Sequence, residues 1–184
     1  MKEGYIIRDQ DKPHFITCTV IDWIDVFSRK TYRDIVIEAL KYCIKNKGMI
    51  VYGYVIMTNH IHLIVQSKSH NLSDLLRDFK KFTAKNILEK IKSEPESRKA
   101  WMLERFSKAI ETHNRNKCYQ FWQYGNHAEE IFTSHFMWDK LNYIHLNPVR
   151  LDLLKKDIII FILQLVIMFL EKDYLRLRLL KIQS

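Results

Sequence analysis

This 184-residue chain is poor in glycine, proline and cysteine, with four, three and three of them. No glycine-rich stretch has the spacing of a phosphate-cradling loop, so the sequence gives no sign of a nucleotide cofactor. Cys18, Cys43 and Cys118 show neither paired nor zinc-like spacing. Scattered thiols without a signal peptide point to a reducing cytoplasm, with Cys18 and Cys43 buried rather than reactive. The longest apolar run, residues 158 to 170, is interrupted by Gln164 and falls short of the ~20 residues that cross a bilayer, so no membrane is expected. What the chain does have is positive charge, a formal +9 from 30 Lys and Arg against 21 Asp and Glu. Such an excess favours a polyanionic partner through phosphate neutralisation and counterion release, although ordinary basic proteins share it. Length and apolar content suit one domain with a sizeable core.

Periodicity orders that domain. Residues 14 to 20 read as a strand, and 28 to 47 as a helix with Ile35, Ile37, Leu40 and Ile44 near helical period and Gly48 as its stop. Residues 49 to 57 read as a buried strand and 60 to 66 as its neighbour. A long helix follows to about Lys92, with Asn71 and Ser73 as candidate N-caps. A polar insertion over 93 to 118 carries Trp101, Met102, Leu103, Phe106 and Ile110 at helical spacing, the mark of a short extra helix. A final strand at 119 to 124 would complete an α+β, ferredoxin-like split βαβ antiparallel sheet with helices on one face.

Within this frame Met57-Thr58-Asn59-His60-Ile61-His62-Leu63-Ile64 places two histidines on one strand around a single apolar residue. Side chains alternate along a strand, so His60 and His62 share a face and can hold one divalent metal or a phosphate, while the plain alternative is a structural histidine. Downstream, Tyr143 and Asn147 stand four apart on a helix that ends near Pro148, which puts a phenol and an amide on one surface. Two imidazoles and the Asn147 carboxamide could surround Mg²⁺ or Mn²⁺ with positions left for phosphate oxygen and water. The Tyr143 hydroxyl would then be the nucleophile. A core aromatic is the competing reading of Tyr143, since Leu141, Ile144 and Leu146 give that helix an apolar side.

The blocks Asn59-His60-Ile61-His62-Leu63-Ile64, Phe121-Trp122-Gln123 and Leu141-Asn142-Tyr143-Ile144-His145-Leu146-Asn147-Pro148-Val149-Arg150 resemble, in order and spacing, the single-tyrosine HUH transposases, in particular those associated with repetitive extragenic palindromes (REP). The resemblance covers about residues 10 to 150. It implies that His60 and His62 are the HUH pair on a central strand, Asn147 the third metal ligand and Tyr143 the residue that becomes linked to a DNA 5′-phosphate. It also implies a homodimer, in which the tyrosine helix can serve the partner. The expected activity is metal-dependent nicking and rejoining of single-stranded or hairpin DNA. A relative that binds DNA without cutting it, and an unrelated metal hydrolase, are the alternatives.

Arg77, Lys80, Lys81 and Lys85 on the long helix form a candidate phosphate-contacting stripe, against the default of a solvated face. Trp122 and Tyr124 are weaker candidates for stacking on bases. His127 follows the Trp-Gln block and is expected near the active face, whereas His145, two residues from Tyr143, faces away from it. Past Arg150 the chain departs from the family: residues 151 to 184 form an atypical apolar tail. Back-translated Phe161 to Lys172, read from the third base, gives a Tyr-Ser-Ser-Ala-like stretch typical of relatives. A frameshift near codon 151 would account for this.

Overall fold

A computed structural model describes residues 7–110 and 118–150. The apolar tail at 151 to 184, and with it the frameshift reading, lies outside the described residues.

Strand β1 (His14–Thr19) leads through two short 3-10 turns into α1 (Lys30–Asn46), then β2 (Met49–Ile56), β3 (His60–Ser67), α2 (Leu72–Ser93), α3 (Lys99–Lys108), β4 (His127–Glu130) and α4 (Ser134–Arg150). The strands form one antiparallel sheet in the order β2-β3-β1-β4, the split βαβ arrangement expected, with β3 and β1 in the middle. Gly48 stops α1 in the left-handed region at φ 69°. The helical period of α1 is as expected, but its inward stripe is Tyr32, Val36, Ala39, Leu40 and Cys43. Ile44 stays exposed, because β-branched residues flank the stripe on both sides and periodicity alone does not rank them. Asn71 stands at the N-cap of α2 without capping it; its Oδ1 accepts a hydrogen bond from the Ser67 hydroxyl at 2.8 Å instead.

Alternation along the sheet sorts the core. Ile16, Cys18, Ile61, Leu63 and Val65 face α1 and α2, whose Val36, Leu40, Leu76, Phe79 and Ile87 complete the larger cluster. Phe15, Val55 and Ile64 face the other way and pack under Leu141 and Ile144 of α4. The expected helical layer on one face is therefore α1 and α2, and α4 crosses the opposite face. Gly53 makes that crossing close: a β-carbon there would stand 3.0 Å from Leu141 Cδ2. It also ends the β-bulge that breaks the β2–β3 register between Val51 and Gly53.

The fourth strand is not where the sequence pattern put it. Residues 119 to 124 contribute a single bridge, Val20 to Trp122, and the edge strand is His127–Glu130. Phe121 and Trp122 are both buried, which an alternating strand with one face outward does not allow. Trp122 instead fills the space beside α2, its Nε1–H donating to the Lys80 carbonyl and the Thr83 hydroxyl at 3.2 Å each. Cys18 and Cys43 are buried as expected. Among the described residues no helix is long and apolar enough to cross a membrane.

Candidate functional site

His60 and His62 lie on the interior strand β3, on the α4 side of the sheet, and their rings converge: the two Nε2 atoms are 3.1 Å apart. Each ring is oriented from behind. His60 Nδ1–H donates to Asn59 Oδ1 at 2.7 Å, and His62 Nδ1 lies 2.9 Å from the hydroxyl of Thr17, its direct partner across the β1–β3 ladder. With Nδ1 carrying the proton, a neutral His60 turns the lone pair of Nε2 toward its neighbour. Burial holds both imidazoles neutral. It lowers the His60 pKa, and takes His62, 5% exposed, down to about 3, with His60, Lys140 and His127 adding to the effect.

Helix α4 brings the phenol to this pair. Leu141 and Ile144 anchor it to the sheet, and Tyr143 emerges at the side, 41% exposed, with its ring edge-on to His62 at 5.2 Å and to Phe15 at 5.8 Å. The core-aromatic reading of Tyr143 does not hold. Of the two histidines, it is His62 that the tyrosine ring touches. One turn further on, the Asn147 amide nitrogen is buried with no hydrogen-bond partner. Turning that amide by 180° would put an oxygen acceptor in the unpartnered position. Among the described residues no group of three or more His, Cys, Asp or Glu could hold a metal, so a third side-chain ligand beside His60 and His62 would have to be of another type, such as an amide. Two nitrogens bound cis to an octahedral ion at about 2.1 Å stand about 3.0 Å apart, so the imidazole spacing has room for an octahedral divalent ion.

Several neighbours carried no sign in the sequence. Thr17 reaches His62 only through strand pairing. Phe15 stacks on His62 with centroids 5.2 Å apart, and Lys140 lies 4.4 Å over the Phe15 ring while pairing with Glu129 at 2.9 Å. His127 is opposite Thr17 across the β1–β4 ladder, in one row with His62, and so reaches the active face as expected.

The basic stripe is not part of this cluster. Arg77, Lys81 and Lys85 are exposed on α2, and the sheet stands between α2 and the imidazoles. Arg77 pairs with Asp74 and Asp78, and Lys85 approaches Glu89 at 3.9 Å. Lys80 departs from the expectation: its ammonium turns inward and donates to the carbonyls of Gln123 and Gly125 at 3.2 and 2.8 Å and to Asn126 Oδ1 at 3.0 Å. All three donors are engaged in fixing the loop before β4, so none is left for a phosphate.

One solved structure shares this architecture. In the solved structure of a REP-associated tyrosine transposase bound to a REP hairpin, the fold matches with a TM-score of 0.57 at 15% identity, over 84% of this chain and 76% of that one. A crystal structure of a putative transposase from Deinococcus radiodurans R1 aligns at a TM-score of 0.41 and 15% identity, over 78% and 95% of the two chains. No curated protein matches in sequence. Residues 10–122 match the sequence pattern of the family described as "Transposase IS200 like", a span that contains His60 and His62 and stops before Tyr143. That span is well over half of the 184 residues, and the chain belongs to the IS200-like transposase family.

Proposed function

We propose that this protein nicks and rejoins single-stranded or hairpin DNA with Tyr143 as nucleophile, using Mg²⁺ or Mn²⁺ held by His60, His62 and Asn147. The observation that carries the reading is the convergence of two neutral imidazoles, Nε2 to Nε2 at 3.1 Å, with a half-exposed tyrosine edge-on to one of them. Asn59 and Thr17 hold the two rings from behind so that their Nε2 atoms converge, and α4 sets the phenol at the rim of the pair. A divalent ion bound there supplies Lewis-acid polarisation of the phosphodiester. In the first step the Tyr143 oxygen bonds to phosphorus and the bond from phosphorus to the 3′ oxygen breaks. The phenol proton passes to solvent, and the departing 3′ oxygen leaves as a hydroxyl. A DNA 3′-hydroxyl attacking the phosphotyrosine reverses the step and joins strands, so no nucleotide is consumed. Arg77, Lys81 and Lys85 belong to this reading only as contacts to DNA that runs past the opposite layer.

Within one chain the Tyr143 ring already lies edge-on to His62 at 5.2 Å, which supports a centre that does not need the partner's tyrosine. The homodimer suggested by resemblance would add a second binding surface, and exposed Phe132, Trp138 and Leu146 offer apolar area for it.

The test is covalent capture. Single-stranded DNA labelled at its 3′ end, incubated with protein and Mn²⁺, should yield a labelled adduct that survives denaturation. Tyr143→Phe should abolish the adduct while keeping fold and DNA affinity, since one hydroxyl is lost. Cleavage persisting in that variant would refute the assignment. Binding without any adduct in the unaltered protein would favour the non-cleaving relative.

A further inference from the structure

Between β1 and α1 the turn Ile21–Trp23 holds two successive non-glycine residues in the left-handed region, Asp22 at φ 51° and Trp23 at φ 55°. Residues with a β-carbon avoid this region, and a bulky one such as tryptophan is rarely kept there unless its surroundings hold it. Here they do. Val20 N–H donates to the Asn59 carbonyl at 2.9 Å and Phe27 N–H to the Thr58 carbonyl at 2.8 Å, tying both ends of the loop to the residues that lead into His60. Val20, Ile24 and Val26 are buried. Trp23 alone is turned outward among these apolar residues, 58% exposed, with its ring edge-on to His60 at 5.9 Å and 75°. The strained backbone thus keeps a large flat apolar surface in solvent beside the imidazole pair rather than in the core next to it.

A hollow of about 360 Å³ adjoins the turn, lined by Asp22, Arg105, Lys108, Gln120, Gln123 and exposed Tyr124. Arg105 is held toward Asp22 at 3.7 Å. Lys108 pairs with Glu104 at 2.6 Å on an exposed helix face, where a phosphate can compete for either cation. An exposed indole on the turn, with amides, cations and a second aromatic in the hollow beside that turn, suits one occupant, a single strand of nucleic acid, whose bases stack and whose phosphates meet positive charge.

We infer that Trp23 is a positioning residue on which a base of the single strand stacks, next to the phosphodiester presented to His60 and His62; this rests on the nicking reading above. Stacking holds the strand without selecting its sequence, because every base has a π face. It fixes where the backbone enters the site.

The experiment measures binding of two labelled oligonucleotides of equal length, one of mixed sequence and one wholly abasic, to the full chain. The intact strand should bind more tightly. Trp23→Ala should weaken it roughly 10-fold, within the range one base–aromatic stack supports, and leave the abasic strand unchanged. Trp23→Phe should restore most of the loss. The quenching of indole fluorescence by the intact strand should fall in Trp23→Phe by the share that Trp23 carries, leaving only that of Trp101, Trp122 and Trp138, a reading available even if the alanine variant folds poorly. Equal loss on both strands, no loss, or quenching undiminished in Trp23→Phe overturns the inference alone. If the unaltered protein binds neither strand, the nicking reading falls and takes this inference with it.

Discussion

Lys80 shows how one side chain changes meaning once its surroundings are known. On the helix it belongs with Lys81 and Lys85, but its ammonium is drawn inside and caps the carbonyls of Gln123 and Gly125. Burial lowers its pKa, with only the field of Cys18 acting the other way, as expected for a charge held by neutral dipoles. Lys80→Met should lower stability by about 2 kcal/mol in urea melts, because three acceptors lose their donor. The salt dependence of DNA binding should not change. A slope shallower by about one unit would return Lys80 to the phosphate contacts. Sequence spacing cannot separate Lys80 from Lys81, because a helix gives adjacent residues directions about 100° apart and only the neighbouring loop decides which one is covered.

At the scale of elements, the approach of α4 to β2 positions the phenol. Gly53 leaves room for Leu141, and the bulge beside it bends the strand under the helix. Gly53→Val should therefore push α4 outward, costing about 1–3 kcal/mol as an overpacking change. It should also impair adduct formation by Tyr143 more than DNA binding. Thermal melts and covalent capture on the same preparation check both, and an active, fully stable variant would show that α4 is not held by this contact. Helices α1 and α2 and strands β1 to β3 were legible because their apolar residues recur with clear periods. Strand β4, His-Ala-Glu-Glu, was not legible: it is a short edge strand with one buried residue, Ala128, and nothing in its composition favours pairing. Phe121 and Trp122 attracted the strand assignment because aromatics are common in strands, yet two consecutive buried rings answer to tertiary packing between layers.

For the whole molecule, the buried imidazoles couple folding to pH. His62 titrates near 3 in the folded chain and near 6.5 when unfolded. Between those values the unfolded chain binds more protons, so stability is full above about pH 6.5 and falls as pH drops toward 3, by at most about 5 kcal/mol. His60, lowered in the same direction, adds to the fall. Urea melts of metal-free protein at about pH 7 and about pH 5 should show the loss, and His62→Gln should reduce it; an unchanged dependence in that variant would place the acid sensitivity elsewhere. The sequence by itself determined the split βαβ order, the shared face of His60 and His62, and the common side of Tyr143 and Asn147, because these follow from periods of 2.0 and 3.6 within single elements. Only the tertiary structure decided that Thr17 orients His62, that the Tyr143 ring lies edge-on to His62, that Lys80 is spent on a loop and that Trp23 is held outward beside His60. Each of those depends on a pairing register or a packing distance between elements distant in sequence, for which no local pattern exists.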